Sequence, residues 1–484
     1  MPVARRNPTR VPVQDAVRDR ACALSTTNCA AHISRSTVER EPRLRQRSRL
    51  HGRERTTDRR RIGWSSIGWR CVGGPKSGDV MARRRLRRFA IIVAVAWTAT
   101  SAIAAPVGAA PGSVSVDAVV VSVPSPTGSN PVGVAELHLT DPGRTDPWDE
   151  GRREVLVQIW YPAQDSGASA AAAWMSPGGR EEQADYLAEL GVPRDRWSLG
   201  PSHSYPNRPA REGVGRFPVL LNSPGMGDAT GWSTAQAEDL ASHGYVVVAI
   251  NHTHEAFSVH FPDGRVEHTV VPLDSPQEVL RDVLLPTRVA DTRFVLDELV
   301  AAATGQSSHT GRRLPAGLAE HMDMTKVGMF GHSLGGSTTV QTLHDEPRIR
   351  AGVDLDGPIL GSVATEGTDK PLLMLASGTS PWYGKPGWEP HWLHNTGVKL
   401  PLRVSGTEHM SFSDQQTILP QLTAAGLLSA ETTTKAVGAI DPQRSIDLQR
   451  TYLRTFFDAV FGQNDISVID AITALAQPEV LPHL

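Results

Sequence analysis

Cysteine is almost missing from this sequence of 484 residues, and its distribution matters more than its scarcity. The three present, Cys22, Cys29 and Cys71, all fall in the first 80 residues, so the rest of the chain has no thiol. That excludes a disulfide framework, a zinc-thiolate centre and a cysteine nucleophile there. Long apolar runs are scarce too: the stretch from Phe89 to about Thr98 is shorter than the ~20 residues that a membrane-spanning helix needs. No H-E-x-x-H, Walker or dinucleotide fingerprint occurs, so neither a metal nor a cofactor is expected. No repeat of fixed period is found either.

Charge is distributed unevenly. Residues 1–80 carry 18 Lys plus Arg against 7 Asp plus Glu, in aperiodic text such as "PRLRQRSRLHGRERTTDRRR". This reads as a disordered leader, or as upstream sequence translated from a misplaced start codon. A basic nucleic-acid-binding arm is the other reading, but it would stand in front of an export signal. From Met81, "MARRRLRRFAIIVAVAWTATSAIAAPVGAAPG" runs from five arginines through an apolar core to small residues. That is the layout of a secretory signal peptide over 81–104, cleaved after Ala102-Ile103-Ala104. The expectation is a secreted protein exported by a signal starting at Met81, with the twin-arginine and general routes both open. Beyond residue 104 stand 26 basic and 44 acidic residues, a net charge of −18, which argues against a nucleic-acid partner.

After a linker at 105–115, residues 116–484 suffice for one large domain. "DAVVVSVPSP", "VGVAELHLTD" and "REVLVQIWYPA" read as antiparallel strands along one sheet edge. Residues 164–215 have loop composition with a short helix around Glu181 to Leu190, and read equally as a lid over the sheet or as a plain surface loop. From Phe217, apolar runs ("FPVLL", "YVVVAINH", "KVGMFGHS", "RAGVDLDG", "PLLMLASG", "LPLRVSG") alternate with helical text. That pattern implies an α/β fold with a mostly parallel central sheet covered on both faces, its ligands bound at the carboxyl ends of the strands.

In "GHSLGGSTT", residues 331–339, Ser333 stands where a strand gives way to a helix, the context that makes G-x-S-x-G a nucleophile elbow. A serine hydroxyl needs a histidine to take its proton and an acid to orient that histidine. Of the later histidines, His409 is best placed, in the loop "TEHMSFSD" after a strand. His391 and His394 lie in the Trp-rich stretch "WYGKPGWEPHWLH" and are expected at the site entrance; His344 belongs to a helix and His483 to the tail. For the acid, Asp356 at the end of "RAGVDLDG" is favoured over Asp354, two residues inside the strand. The oxyanion donors would be the amides of Leu334 and of Met226, in "NSPGMGD". Trp382, Trp388 and Trp392 read either as an apolar wall for an acyl chain, touching a lipid interface, or as a packed surface cluster.

From about Val132 to Gly462 the chain resembles secreted serine-dependent platelet-activating-factor acetylhydrolases and their bacterial α/β-hydrolase relatives. The resemblance rests on "VQIWYPA", "NSPGMG…DLASHGYVVVAINH", "GHSLGGST", "VDLDG" and "SGTEHMSFSD" in combination. It implies an α/β-hydrolase fold and a Ser333, Asp356, His409 triad, with Met226 as the early oxyanion donor. It further implies a carboxylic ester hydrolase acting on lipid-like esters, 2-acetyl phospholipids among them. One departure is Pro224, where the family often has histidine. Lipase or polyester hydrolase, a serine peptidase on the same fold, and a non-catalytic binding protein are the rival readings.

Overall fold

The computed structural model describes residues 118–482, apart from 166, 168, 214, 307–313, 383–386 and 463–465. The expected leader, signal peptide and linker, the three cysteines and His483 lie outside the described residues.

Among the described residues ten strands form one sheet. In chain order they are β2 (Val132–Thr145), β3 (Arg152–Pro162), β5 (Ser204–Pro206), β6 (Phe217–Ser223), β7 (Val246–Asn251), β10 (Met322–His332), β11 (Ile349–Leu355), β12 (Leu372–Ser377), β13 (Lys399–Val404) and β14 (Val480–Pro482). Their order across the sheet is β14-β13-β12-β11-β10-β6-β7-β3-β2-β5. The strands from β13 to β7 run parallel; β14 lies antiparallel beyond β13, β3 antiparallel beyond β7, then β2 antiparallel to β3 and the edge strand β5 parallel to β2. Two small pairs lie apart: β1 (Val119–Val121) with β4 (Trp197–Leu199), and β8 (Ser258–His260) with β9 (Val266–His268). The structure therefore corrects one expectation. "DAVVVSVPSP" contributes only β1, which pairs in parallel with β4 and never joins the large sheet.

The parallel strands are apolar on both faces because helices cover both. Val219 and Leu221 of β6 pack with Phe294, Leu296 and Leu299 of the helix Leu285–Ala303. Leu220 between them points the other way, to Leu240 of the helix Thr234–Ser242 and to Leu453, Phe456 and Phe457 of the helix Pro442–Val460. This alternation is what a two-faced core demands of a strand. Segment 164–215 is tied into the body: it supplies β4 and β5, and its helix Pro177–Glu189 buries Leu187 in a cluster with Trp174, Trp232 and Ile418.

The helix Leu334–Asp345 crosses close beneath the end of β6. At Gly335 a Cβ would run into the Ser223 carbonyl oxygen, and at Gly336 into the Asp354 carboxylate. Backbone cannot retreat as a flexible side chain can, so Gly335→Ala should cost about 1–3 kcal/mol or more through overpacking. Urea unfolding of the variant beside the parent measures this; an unchanged midpoint would show that the contact relaxes freely.

Candidate active site

Ser333 joins β10 to the helix Leu334–Asp345 with φ 56° and ψ −122°, a conformation that L-residues rarely adopt. Its amide donates to the Leu355 carbonyl at 2.9 Å, which ties the turn to the end of β11. The missing side chains at Gly331, Gly335 and Gly336 let the helix turn back at once, so the hydroxyl stands above the carboxyl edge of the sheet.

Two side chains far away in sequence meet it there. His409 opens the short turn His409–Phe412 after β13, with Nε2 3.0 Å from Ser333 Oγ and Nδ1 2.7 Å from Asp356 Oδ2. Asp356, just past β11, also has positive φ (55°), and its Oδ1 accepts from the Ser377 amide at 2.9 Å. The Asp356 side chain is fully buried while that of His409 is 38% exposed, so the histidine reaches solvent and the acid does not. Burial works against charge on Asp356. The hydrogen bond and charge of His409, with the Ser377 amide, outweigh it and hold the carboxyl below its ordinary range. Asp354 is the opposite case: burial pushes its carboxyl well above the ordinary range, and it accepts from the Gly357 amide at 2.8 Å.

Met226 lies in the loop after β6, and Leu334 is the first residue of its helix, where amides have no intrahelical acceptor. Their side chains share an apolar cluster with Val271, Leu284, Leu285 and Leu360. Trp382 stands edge-on to His409, ring centroids 6.5 Å apart. Trp388 and Trp392 stack on each other, 6.1 Å apart, on the helix Trp388–His394; Trp388 packs on the core and Lys399 Nζ lies 4.2 Å over Trp392. His391 is not at an entrance: it is fully buried, its Nδ1 bonded to the Val363 carbonyl at 2.9 Å, because helix formation turns it inward.

Several groups around the site carry no local sequence signal. His332, the residue before Ser333, donates from Nε2 to the His409 carbonyl at 2.9 Å, and the two rings lie 4.6 Å apart. Under the Met226 loop, Arg288 reaches the Ser223 hydroxyl (3.0 Å) and the carbonyls of Pro224 (2.6 Å) and Gly225 (2.9 Å), while Glu255 grips the same guanidinium. Behind them His252 bridges Ser223 and Asp291, and Asp291 pairs with Arg153. Burial disfavours charge on Asp291, but Arg153 and His252 hold it far below the ordinary carboxylate range. Burial also lowers His252, which favours its neutral form. Among the described residues no group of three or more His, Cys, Asp or Glu is arranged to hold a metal ion.

The family model described as platelet-activating factor acetylhydrolase, isoform II, matches residues 118–479. A probable 1-alkyl-2-acetylglycerophosphocholine esterase of Arthroderma benhamiae is 28% identical over 263 residues, 51% of this chain and 62% of that protein. A platelet-activating factor acetylhydrolase of Cavia porcellus is 28% identical over 247 residues, 45% of this chain and 56% of its own length. Each match thus spans less than two thirds of the relative. A solved ferulic acid esterase from Streptomyces cinnamoneus superposes with a TM-score of 0.60 at 30% identity, covering 75% of this chain and 99% of that one.

The two neighbouring aspartates give a pH test. Burial favours the protonated form of Asp354 in the folded state, whereas an unfolded aspartate loses its proton above about pH 4. The folded state then binds more protons, so Asp354 costs stability progressively as pH rises from about 4 towards its raised folded value. Asp354→Asn keeps an oxygen for the Gly357 amide and removes this term. The expected outcome is a flatter dependence of urea midpoint on pH above about 4 than in the parent; parallel curves would mean that Asp354 is ionised in place.

Proposed function

Since the chain belongs to the platelet-activating factor acetylhydrolase, isoform II family, we propose that it is an exported serine esterase acting on lipid-like carboxylic esters. The observation that carries this reading is the hydrogen-bonded order Ser333 Oγ, His409 Nε2, His409 Nδ1, Asp356 Oδ2 on a strand-to-helix turn. His409 takes the Ser333 proton as Oγ attacks the ester carbonyl, and Asp356 holds the imidazole in orientation and stabilises it once charged. The amides of Met226 and Leu334 receive the negative charge that develops on the carbonyl oxygen. His409 returns the proton to the departing alcohol; water, activated by the same histidine, then cleaves the acyl-enzyme.

The lipid-like character of the substrate is supported by the apolar cluster around Met226 and Leu334 and by Trp382 beside His409. Leu273 is 74% exposed near the Met226 loop and Leu393 71% exposed on the helix bearing Trp388 and Trp392, which favours transient contact with a lipid interface. Among the described residues no helix is long and apolar enough to cross a membrane. The relatives' names favour 2-acetyl phospholipids. The fold match to a ferulic acid esterase favours a second reading, an aryl-acyl ester substrate.

Steady-state rates on a short-acyl ester, a long-acyl ester, a 2-acetyl phospholipid and a feruloyl ester rank these readings. Ser333→Ala should lower kcat by roughly 10⁶-fold and Asp356→Asn by roughly 10⁴-fold, as loss of the nucleophile and of the acid do elsewhere. Asp354→Asn should stay within a few-fold of the parent, about the effect of a change outside the reacting atoms. Full activity in Ser333→Ala would sink the serine mechanism. Folded parent protein silent on all four esters would favour a peptidase or a binding protein.

A further inference from the structure

The Met226 amide can stabilise an oxyanion only if it points into the site, and the loop's own turn, with the Asp228 amide 3.3 Å from the Gly225 carbonyl, holds that direction only through one long bond. The Met226 N–H belongs to the same peptide plane as the Gly225 carbonyl. In a trans peptide the two point in opposite directions, so whatever holds the carbonyl aims the amide. Arg288 holds it: Nη2 donates to the Gly225 oxygen at 2.9 Å, and Nη1 to the preceding Pro224 oxygen at 2.6 Å. The guanidinium cannot wander. It is 1% exposed, Glu255 accepts from its Nε at 2.8 Å, and Ser223 Oγ accepts from Nη1 at 3.0 Å.

We infer that Arg288 is the positioning residue of the oxyanion hole, setting the Met226 amide through the Gly225–Met226 peptide plane; this rests on the esterase reading above. A cation donating to the carbonyl also polarises the peptide and strengthens its N–H as a donor, since hydrogen bonds in series reinforce one another. Arg288 touches no substrate. It stands in the helix Leu285–Ala303, 63 residues after Gly225. A planar fork suits two successive carbonyls in a way that a single ammonium does not, so lysine should not replace it.

The test compares an ester with its thionoester, whose sulfur is larger and a poorer hydrogen-bond acceptor and so draws less on the two amides. Arg288→Lys should lower kcat on the ester by about ten-fold or more with little change in KM, and lower the thionoester rate far less, so that the ester-to-thionoester ratio falls. Partial unfolding would lower both rates equally and leave the ratio unchanged, which would overturn the assignment. If Arg288→Lys does not fold, Glu255→Gln frees the guanidinium from one side and should lower the ratio by about three-fold, a smaller share of the same effect; an unchanged ratio in that folded variant overturns the assignment too. If the parent turns over neither compound through Ser333, the esterase reading fails by itself. The Met226 amide resonance, followed with ¹⁵N-methionine, then decides: a shift in the variant supports the role of Arg288, and an unmoved resonance overturns it.

Discussion

A left-handed serine backbone between two elements that nearly collide is the constraint on which the rest depends. Residues held at such angles cost of order 1–3 kcal/mol and persist only where their surroundings over-determine them. Here the surroundings are backbone: Ser333 N bonds to Leu355 O, and the helix after it lies against the Ser223 and Pro224 carbonyls at Gly335. That contact brings the ends of β6, β10 and β11 together. Ser333, the Met226 loop and Asp356 therefore share one rim, and His409 has only to reach over from β13.

Connectivity alone does not make a nucleophile, as a second array in the same molecule shows. Ser223 Oγ lies 3.0 Å from His252 Nε2, and His252 Nδ1 3.0 Å from Asp291 Oδ2, the same order of atoms as at Ser333. All three are buried, Ser223 ends an ordinary strand, and Arg288 and Arg153 add cations to the two ends of the array. With Nδ1 donating to Asp291, a neutral His252 accepts from the Ser223 hydroxyl, and every polar atom in the row is engaged. Such networks rigidify a core when complete. The array at Ser333 differs in presentation: a positive-φ serine, a histidine open to solvent and, among the described residues, no arginine paired with Asp356.

The fold, and the meeting of Ser333, Asp356 and His409 at one rim, can be read in the sequence because their signals are local. Continuous apolar runs such as "YVVVAIN" give buried parallel strands, and positions at strand ends put side chains on the rim. β1 was misplaced because three valines record that a strand forms but not which edge it meets. The burial of His391 is not foreseeable from a Trp-rich composition, because only seven residues of helix turn the ring inward to Val363. Arg288, Glu255, His252, Asp291 and Arg153 were not legible at all. They are charged or polar residues scattered over 139 positions with no motif among them, and only the folded chain makes them neighbours.

The most direct test of the account is to treat the protein with a fluorophosphonate and map the adduct by peptide mass spectrometry, in the parent and in His409→Ala. The account predicts a single modified residue, Ser333, and loss of labelling in the variant, because the hydroxyl depends on that imidazole for its reactivity. An unlabelled but folded parent, an adduct on Ser223, or labelling that survives without His409 would contradict it.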